Sequence, residues 1–218
     1  MYLAKPSAPA APAALAAPAA LDRPGVLVLH SWWGLNGFFR ALCDRLAAEG
    51  FVALGVDLYD GRVATTVPEA RALRAAAGAS RREAAYRYLM RTVEVLRSEA
   101  PGGVALLGFS MGGHWAYWLS QLPELGVDKA VTFYAARDGD YAASRAAFLA
   151  HFAEADEWVS SAGVRKLERS LARAGREHAF HTYAGTGHWF FESDRPEYDP
   201  AAAALAWQRT LAFLRGPG

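Results

Sequence analysis

Gly103-Val-Ala-Leu-Leu-Gly-Phe-Ser-Met-Gly-Gly113 is the stretch whose reading decides the fold. Gly103 to Gly108 is a short apolar run bounded by glycine, the pattern of a strand buried on both faces. A helix is predicted to follow over 112–122, so Gly108-Phe-Ser-Met-Gly-Gly113 falls on a strand-to-helix turn. A serine flanked by glycines in that context has the form of a nucleophile elbow. The chemistry accounts for the glycines. A tight turn brings neighbouring backbones together, lifts the Ser110 hydroxyl clear of the sheet and aims the Met111 amide at a developing oxyanion. The positive end of the next helix adds to that field.

Working outward, the same alternation recurs. Strands are predicted at 25–30, 51–56, 129–134, 147–152 and 178–183, and helices at 38–49, 68–79, 81–97, 164–174 and 201–214. Buried strands alternating with helices imply a mostly parallel sheet with helices on both faces, a doubly wound α/β class. Ligands in such sheets bind outside the carboxyl ends of the strands, so the residues just after each strand are the candidates for chemistry. These include Ser31 to Gly34, Asp57, Ser110, the stretch from Tyr134, the stretch 153–156, and Gly185-Thr-Gly-His188.

Ser110 needs a base. His188 follows a strand in a glycine-containing loop before the last helix, where a chain-terminal base belongs. His114, His151, His178 and His181 are read as surface or satisfied core residues, and His30 as a candidate pocket residue at the end of a strand. The acid that orients His188 must fall between positions 110 and 188. Asp156 is favoured because it follows a strand, with Glu154 as the fallback; Asp138 and Asp140 lie in a loop suited to turn formation.

Composition excludes other classes. Of 218 residues, 53% are hydrophobic and 21% charged, enough to build a core, which rules out disorder as the main state. A formal net charge of +1 gives no electrostatic case for nucleic acid or an anionic membrane as partner. The single cysteine, Cys43, excludes an internal disulfide framework and a cysteine-cage metal site, and its helical apolar setting marks it as core. No run of about 18 uncharged apolar residues free of proline is present. Residues 1–24 are read as an edge strand at Tyr2-Leu-Ala4 followed by an Ala/Pro-rich connector, and 25–218 as a single domain. The proline-broken run lacks the basic start and apolar core of a secretory signal, so a cytoplasmic location is expected.

Five pieces in order resemble the dienelactone hydrolase family of the α/β-hydrolase fold. They are His30-Ser-Trp-Trp-Gly-Leu-Asn36, Val56-Asp-Leu-Tyr59, Gly108-Phe-Ser-Met-Gly-Gly113, Asp156 with Val159 behind it, and Gly187-His-Trp-Phe190. The resemblance covers about residue 25 to the C-terminus. It implies a nucleophile at Ser110, an acid at Asp156, a base at His188, and oxyanion donors from the amides of Met111 and Trp32. Two departures stand out. The family's namesake has a cysteine nucleophile and a glutamate beside the oxyanion loop, where this chain has Ser110 and Ser31. Its arginine after the histidine is missing too, with Glu192 near that place; Arg62, Arg81, Arg82 and Arg195 are the cationic candidates for a substrate carboxylate.

The expected function is hydrolysis of a small carboxylic ester or lactone through an acyl-enzyme, with no metal or organic cofactor and with the chain a monomer or small homo-oligomer. Ser31, Trp33, Tyr134, Trp189 and Phe190 are the expected substrate-binding residues. The other readings are a general short-chain carboxylesterase of unrelated physiological role, and a non-catalytic binding protein on the same fold.

Overall fold

The structure is a computed structural model that describes residues 1–5, 24–76 and 79–216, without the side chains of 79–82. The Ala/Pro-rich connector therefore lies outside the described residues. These group into two compact units, Met1–Val28 with Trp33–Val104, and Leu29–Trp32 with Ala105–Gly218.

In the first unit the strands β1 (Tyr2–Ala4), β2 (Gly25–Leu29) and β3 (Val52–Gly55) lie in the order β1-β3-β2. β2 runs parallel to β3, with Val26 opposite Ala53, and β1 pairs antiparallel along the other side of β3, with Leu3 opposite Leu54. Val26, Leu27 and Val28 are wholly buried, which explains why β2 reads as a continuous apolar run with no alternation. Helix α1 (Gly37–Ala48) starts where Asn36 accepts the amide of Phe39, a side-chain N-cap, and buries Phe39, Leu42, Cys43 and Leu46 at helical spacing. Helix α2 (Val67–Ala76) opens on a capping box: the Glu69 carboxylate accepts the amides of Thr65 and Thr66, and the Thr66 hydroxyl accepts the amide of Glu69. Helix α3 (Ala79–Glu99) buries Leu89, Val93 and Leu96. Gly25 allows α3 to approach, since a Cβ there would sit 2.6 Å from Leu96 Cγ. Asp57 has turn duty, its carboxylate accepting the amides of Tyr59 and Gly61.

In the second unit β4 (Val104–Phe109), β5 (Val127–Phe133), β6 (Ala147–Ala155) and β7 (His178–Gly187) lie in chain order. β5, β6 and β7 are mutually parallel, with Val131 opposite Leu149 and Leu149 opposite Ala179. The helices α4 (Met111–Ser120), α5 (Ser161–Arg173) and α6 (Pro200–Arg215) connect or follow them. Ser160 caps α5 by accepting the amide of Gly163, and Asp199 caps α6 by accepting that of Ala202. A register shift between Ala153 and Ala155 carries β6 past Phe152, where the sequence pattern predicts its end. The strand thus delivers Asp156 directly, and pairing carries β7 through Gly187 to His188. His151 is buried between Tyr183 and Thr210, which hydrogen-bond its two ring nitrogens, and burial pushes its pKa well below the ordinary value. It is a satisfied core residue, as its sequence setting suggests. Among the described residues no helix is long and apolar enough to cross a membrane.

Cys43 is fully buried in α1, and burial pushes its thiol up to about 12. A neutral, inaccessible thiol does not react with disulfide reagents. The native protein is therefore expected to leave Cys43 unlabelled by an aromatic disulfide reagent at pH 8 and to release one equivalent of thiol in denaturant; rapid labelling of native protein would contradict this packing.

Candidate active site

Ser110 joins β4 to α4 with φ +49°, a conformation that costs a side-chain-bearing residue free energy and is sustained only by its surroundings. Those surroundings are backbone. A Cβ on Gly112 would stand 2.0 Å from the carbonyl oxygen of Leu29 and 2.6 Å from that of His30. A Cβ on Gly108 would meet the carbonyl oxygen of Gly112 at 2.5 Å, and one on Gly113 would meet Ala135 Cβ at 2.4 Å. The three glycines let the first turn of α4 press against the segment after β2 and against the end of its own strand. The Ser110 amide donates to the Phe133 carbonyl, 3.0 Å, which pins the turn to β5.

The three side chains singled out in the sequence lie in one hydrogen-bonded line. Ser110 Oγ is 2.8 Å from His188 Nε2, and His188 Nδ1 is 2.9 and 2.8 Å from the two oxygens of Asp156. An ionised carboxylate only accepts, so Nδ1–H donates to Asp156, and Nε2 is left to accept the serine proton. The imidazole and carboxylate are almost entirely buried, with side chains 4% and 3% exposed, while Ser110 is half-buried and reachable from solvent. Asp156 is itself held, its Oδ1 accepting the amides of Trp158 and Val159. The fallback acid, Glu154, instead accepts the Gly185 amide at the surface, and Asp140 accepts the Ala142 amide in a turn.

The remaining candidates fall in several places. Trp32 belongs to the segment after β2 that borders the start of α4, and Met111 is the first residue of α4. Ser31 is fully buried and donates to Glu192 Oε2, 2.8 Å. Tyr134 is also fully buried, with φ +38°; its ring lies 4.8 Å from the His188 ring, and its hydroxyl donates to Glu192 Oε1 at 2.7 Å. Phe190 is wholly buried against Tyr134 and Tyr183. Trp189, with φ +66°, is buried edge-on to His188 at 4.8 Å. Trp33 is a buried residue of the first unit whose carbonyl accepts the Ala64 amide, and His30 is buried with Nδ1 on the Ser31 carbonyl. Arg62 lies in the first unit against the Tyr59 carbonyl, Arg195 pairs with Asp194, and the side chains of Arg81 and Arg82 are outside the described residues. A hollow of about 260 Å³ opens beside His188, lined by Ala155, Glu157, Gly187, Trp189 and Glu197.

Two residues have contacts at the site that the sequence does not announce: Trp158, and Glu192, which the sequence marks only as standing near the place of the namesake's arginine. Trp158 is 40% exposed and lies edge-on to Trp32 at 5.1 Å, 5.9 Å from Trp189 and 6.3 Å from His188, closing an aromatic rim. Its position two residues after Asp156 was the available signal. Glu192 is the other: a carboxyl group with no exposed surface, which burial pushes up to about 8 against the opposing hydrogen bonds from Tyr134 and Ser31. Its signal was an acid placed directly after Trp189-Phe-Phe191, where a turn of aromatic residues has to be buried.

The fold is that of the α/β-hydrolases. An α/β-hydrolase from a Medee basin deep-sea metagenome library matches the fold with a TM-score of 0.61 at 16% identity, over 90% of this chain and 86% of that one. A dienelactone-hydrolase-like promiscuous phosphotriesterase from metagenomic libraries matches with a TM-score of 0.76 at 21% identity, over 88% and 85%. The family model for the dienelactone hydrolase family matches residues 11–216, and the chain belongs to that family. A protein of Aquifex aeolicus bearing the provisional name carboxymethylenebutenolidase is 30% identical over 203 residues, 88% of this chain and 87% of the relative.

Glu192 makes the site's stability depend on pH. Its folded pKa lies above the ordinary carboxyl value of 4.5, at about 8, so between those limits unfolding releases a proton. The unfolded chain then binds fewer protons than the folded one, and stability falls as pH rises through that window. Relative to Glu192→Gln, the wild type should lose on the order of 3 kcal/mol of unfolding free energy between pH 5 and pH 8. Urea unfolding at the two pH values measures it; a constant gap would show that the group is ionised throughout.

Proposed function

We propose that this protein hydrolyses small carboxylic esters or lactones through a covalent acyl-enzyme on Ser110. The observation that carries the reading is the 2.8 Å contact from Ser110 Oγ to His188 Nε2, backed by the paired contacts of Nδ1 with Asp156, on a positive-φ elbow. Membership of the dienelactone hydrolase family and the butenolide-cleaving name of the Aquifex aeolicus relative support the ester or lactone as substrate class.

In this mechanism His188 Nε2 takes the Ser110 proton as Oγ bonds to the substrate carbonyl carbon. Asp156 holds the imidazole in the productive tautomer and stabilises its cation. The amides of Met111 and Trp32 receive the oxyanion; one such donor contributes about 3–4 kcal/mol to the transition state. Collapse breaks the bond to the leaving oxygen, which takes the proton from Nε2, and in a lactone that oxygen stays tethered to the acyl group. Water then repeats the sequence: His188 Nε2 takes its proton as the hydroxide oxygen bonds to the acyl carbon, and the Ser110–acyl bond breaks as Nε2 returns that proton to Oγ, releasing the carboxylic acid and restoring the hydroxyl. The serine nucleophile suits this arrangement, because a hydroxyl relies on the adjacent imidazole as general base.

Trp158 and Trp189 beside His188, with Trp32 against Trp158, fit a small apolar or planar acyl group. Steady-state hydrolysis of short-chain nitrophenyl esters and of an aromatic lactone tests the reading. Ser110→Ala and His188→Ala should each lower kcat by about 10⁵–10⁶-fold, and Asp156→Asn by about 10⁴-fold, with circular dichroism unchanged. Wild-type protein that turns over none of these substrates, or a Ser110→Ala variant that keeps its rate, would overturn it.

A further inference from the structure

The Ser110–His188–Asp156 line leaves Glu192 unused, yet burying a carboxyl group at this depth costs free energy that an apolar side chain would avoid. Its contacts account for its presence. One oxygen accepts from Ser31 at 2.8 Å and the other from Tyr134 at 2.7 Å, and all three residues have no exposed surface. Each partner leads to a different part of the site. Ser31 immediately precedes Trp32, whose amide is a proposed oxyanion donor, and the Ser31 carbonyl is hydrogen-bonded by the buried His30. Tyr134 follows β5 in a positive-φ conformation with its ring against His188. Glu192 itself sits in a chain of turns starting at the base: Phe190 N–H donates to the Gly187 carbonyl, Glu192 N–H to that of Trp189, and Arg195 N–H to that of Glu192.

We propose that Glu192 is a positioning residue of this hydrolase, a buried carboxyl group that fixes the Ser31–Trp32 loop and the Tyr134 ring against the loop that carries His188. The proposal rests on the ester-hydrolase reading above. An oxyanion donor is effective only when held where charge develops, and an error of about 1 Å at such a group costs about 10²-fold in rate. A hydroxyl–carboxyl–hydroxyl bridge sets that distance in a way that apolar packing does not, because each hydrogen bond has a narrow length and direction.

The protonation state adds a second readout. The charged and titratable groups facing this bridge are Asp194 and Arg195 beside Glu192, Asp156 acting on Tyr134, His188 across the Tyr134 ring, and His30 on the Ser31 carbonyl. Asp194 raises the Glu192 pKa and Arg195 lowers it, while Tyr134 is held far above its ordinary value and stays neutral. Protonated Glu192 carries no charge to oppose the oxyanion, and its own O–H then donates to one of the two hydroxyl oxygens while the other hydroxyl still donates to it. Ionised Glu192 places a like charge next to the loop that must receive the oxyanion, so kcat falls as pH rises past about 8.

The test measures kcat and KM on one nitrophenyl ester from pH 6 to 9.5 for wild type, Glu192→Gln, Glu192→Ala, Ser31→Ala and Tyr134→Phe, with melting temperatures for each. Glu192→Gln, neutral at every pH and able to keep both bridges, should stay within about fivefold of wild-type kcat at pH 7 and lose the alkaline fall. Glu192→Ala should lose about 10²-fold in kcat with KM within about threefold. Should Glu192→Ala fail to fold, Ser31→Ala and Tyr134→Phe each cut one bridge and should lower kcat about tenfold in folded protein. The proposal is overturned if the folded truncations keep kcat within threefold while melting earlier, which is the signature of a structural role only. It is equally overturned if Glu192→Gln is as slow as Glu192→Ala or keeps the alkaline fall. Wild type without activity would defeat the hydrolase reading itself, whereas active wild type beside fully active Glu192→Ala would defeat this inference alone.

Discussion

The close approach of the first turn of α4 to the carbonyls of Leu29 and His30 is the constraint on which the site depends. It exists because Gly112 has no Cβ, and it places the first residues of that helix beside the segment that leads into Ser31 and Trp32. Gly108 and Gly113 extend the same requirement to the end of β4 and to Ala135. With these contacts in place Ser110 has little freedom, and its positive φ is imposed by the packed backbone on either side. The strained turn holds the Ser110 hydroxyl out toward the His188 imidazole.

Strain of this kind is concentrated. Among the described residues, positive φ occurs without glycine at Asp60, Ser110, Tyr134 and Trp189, and three of those four contact or flank His188. Each of the three ends or follows a strand of the second unit, where backbone geometry must change from pleat to turn within one residue. The hydrogen bonds that offset the strain are local: Ser110 N–H to Phe133, Tyr134 N–H to His151, and the turns from Gly187 to Arg195. Buried aromatic side chains then fill the space beneath, with Phe109, Phe133 and Phe191 stacked or tilted against one another within 6 Å.

Much of this was legible before any coordinates. Apolar runs fully buried on both faces, such as Val26 to Val28 and Val104 to Phe109, announce parallel strands because no alternation is needed. Ser110, Asp156 and His188 were legible because each follows a strand, and parallel strands bring such residues to one edge. What the sequence concealed depends on pairing. The shift at Ala153 to Ala155 and the extension of β7 to Gly187 are set by neighbouring strands, so β6 and β7 run past the ends that the apolar pattern marks. The Tyr134 and Phe190 side chains, read as substrate contacts, are wholly buried, because position after a strand does not distinguish a lining residue from one beneath it. Glu192 was hidden for a related reason: its partners Ser31 and Tyr134 are 161 and 58 residues away in the chain.

The central claim is that Ser110 is an activated nucleophile. Peptide-resolved mass spectrometry after brief exposure of native protein to a fluorophosphonate tests it most directly, because the reagent reacts with serines made nucleophilic by a neighbouring base. The account predicts one adduct per chain, on the peptide containing Gly108-Phe-Ser-Met-Gly112, and none when His188 is replaced by alanine. Folded native protein that takes up no adduct, or carries it on another residue, would contradict it.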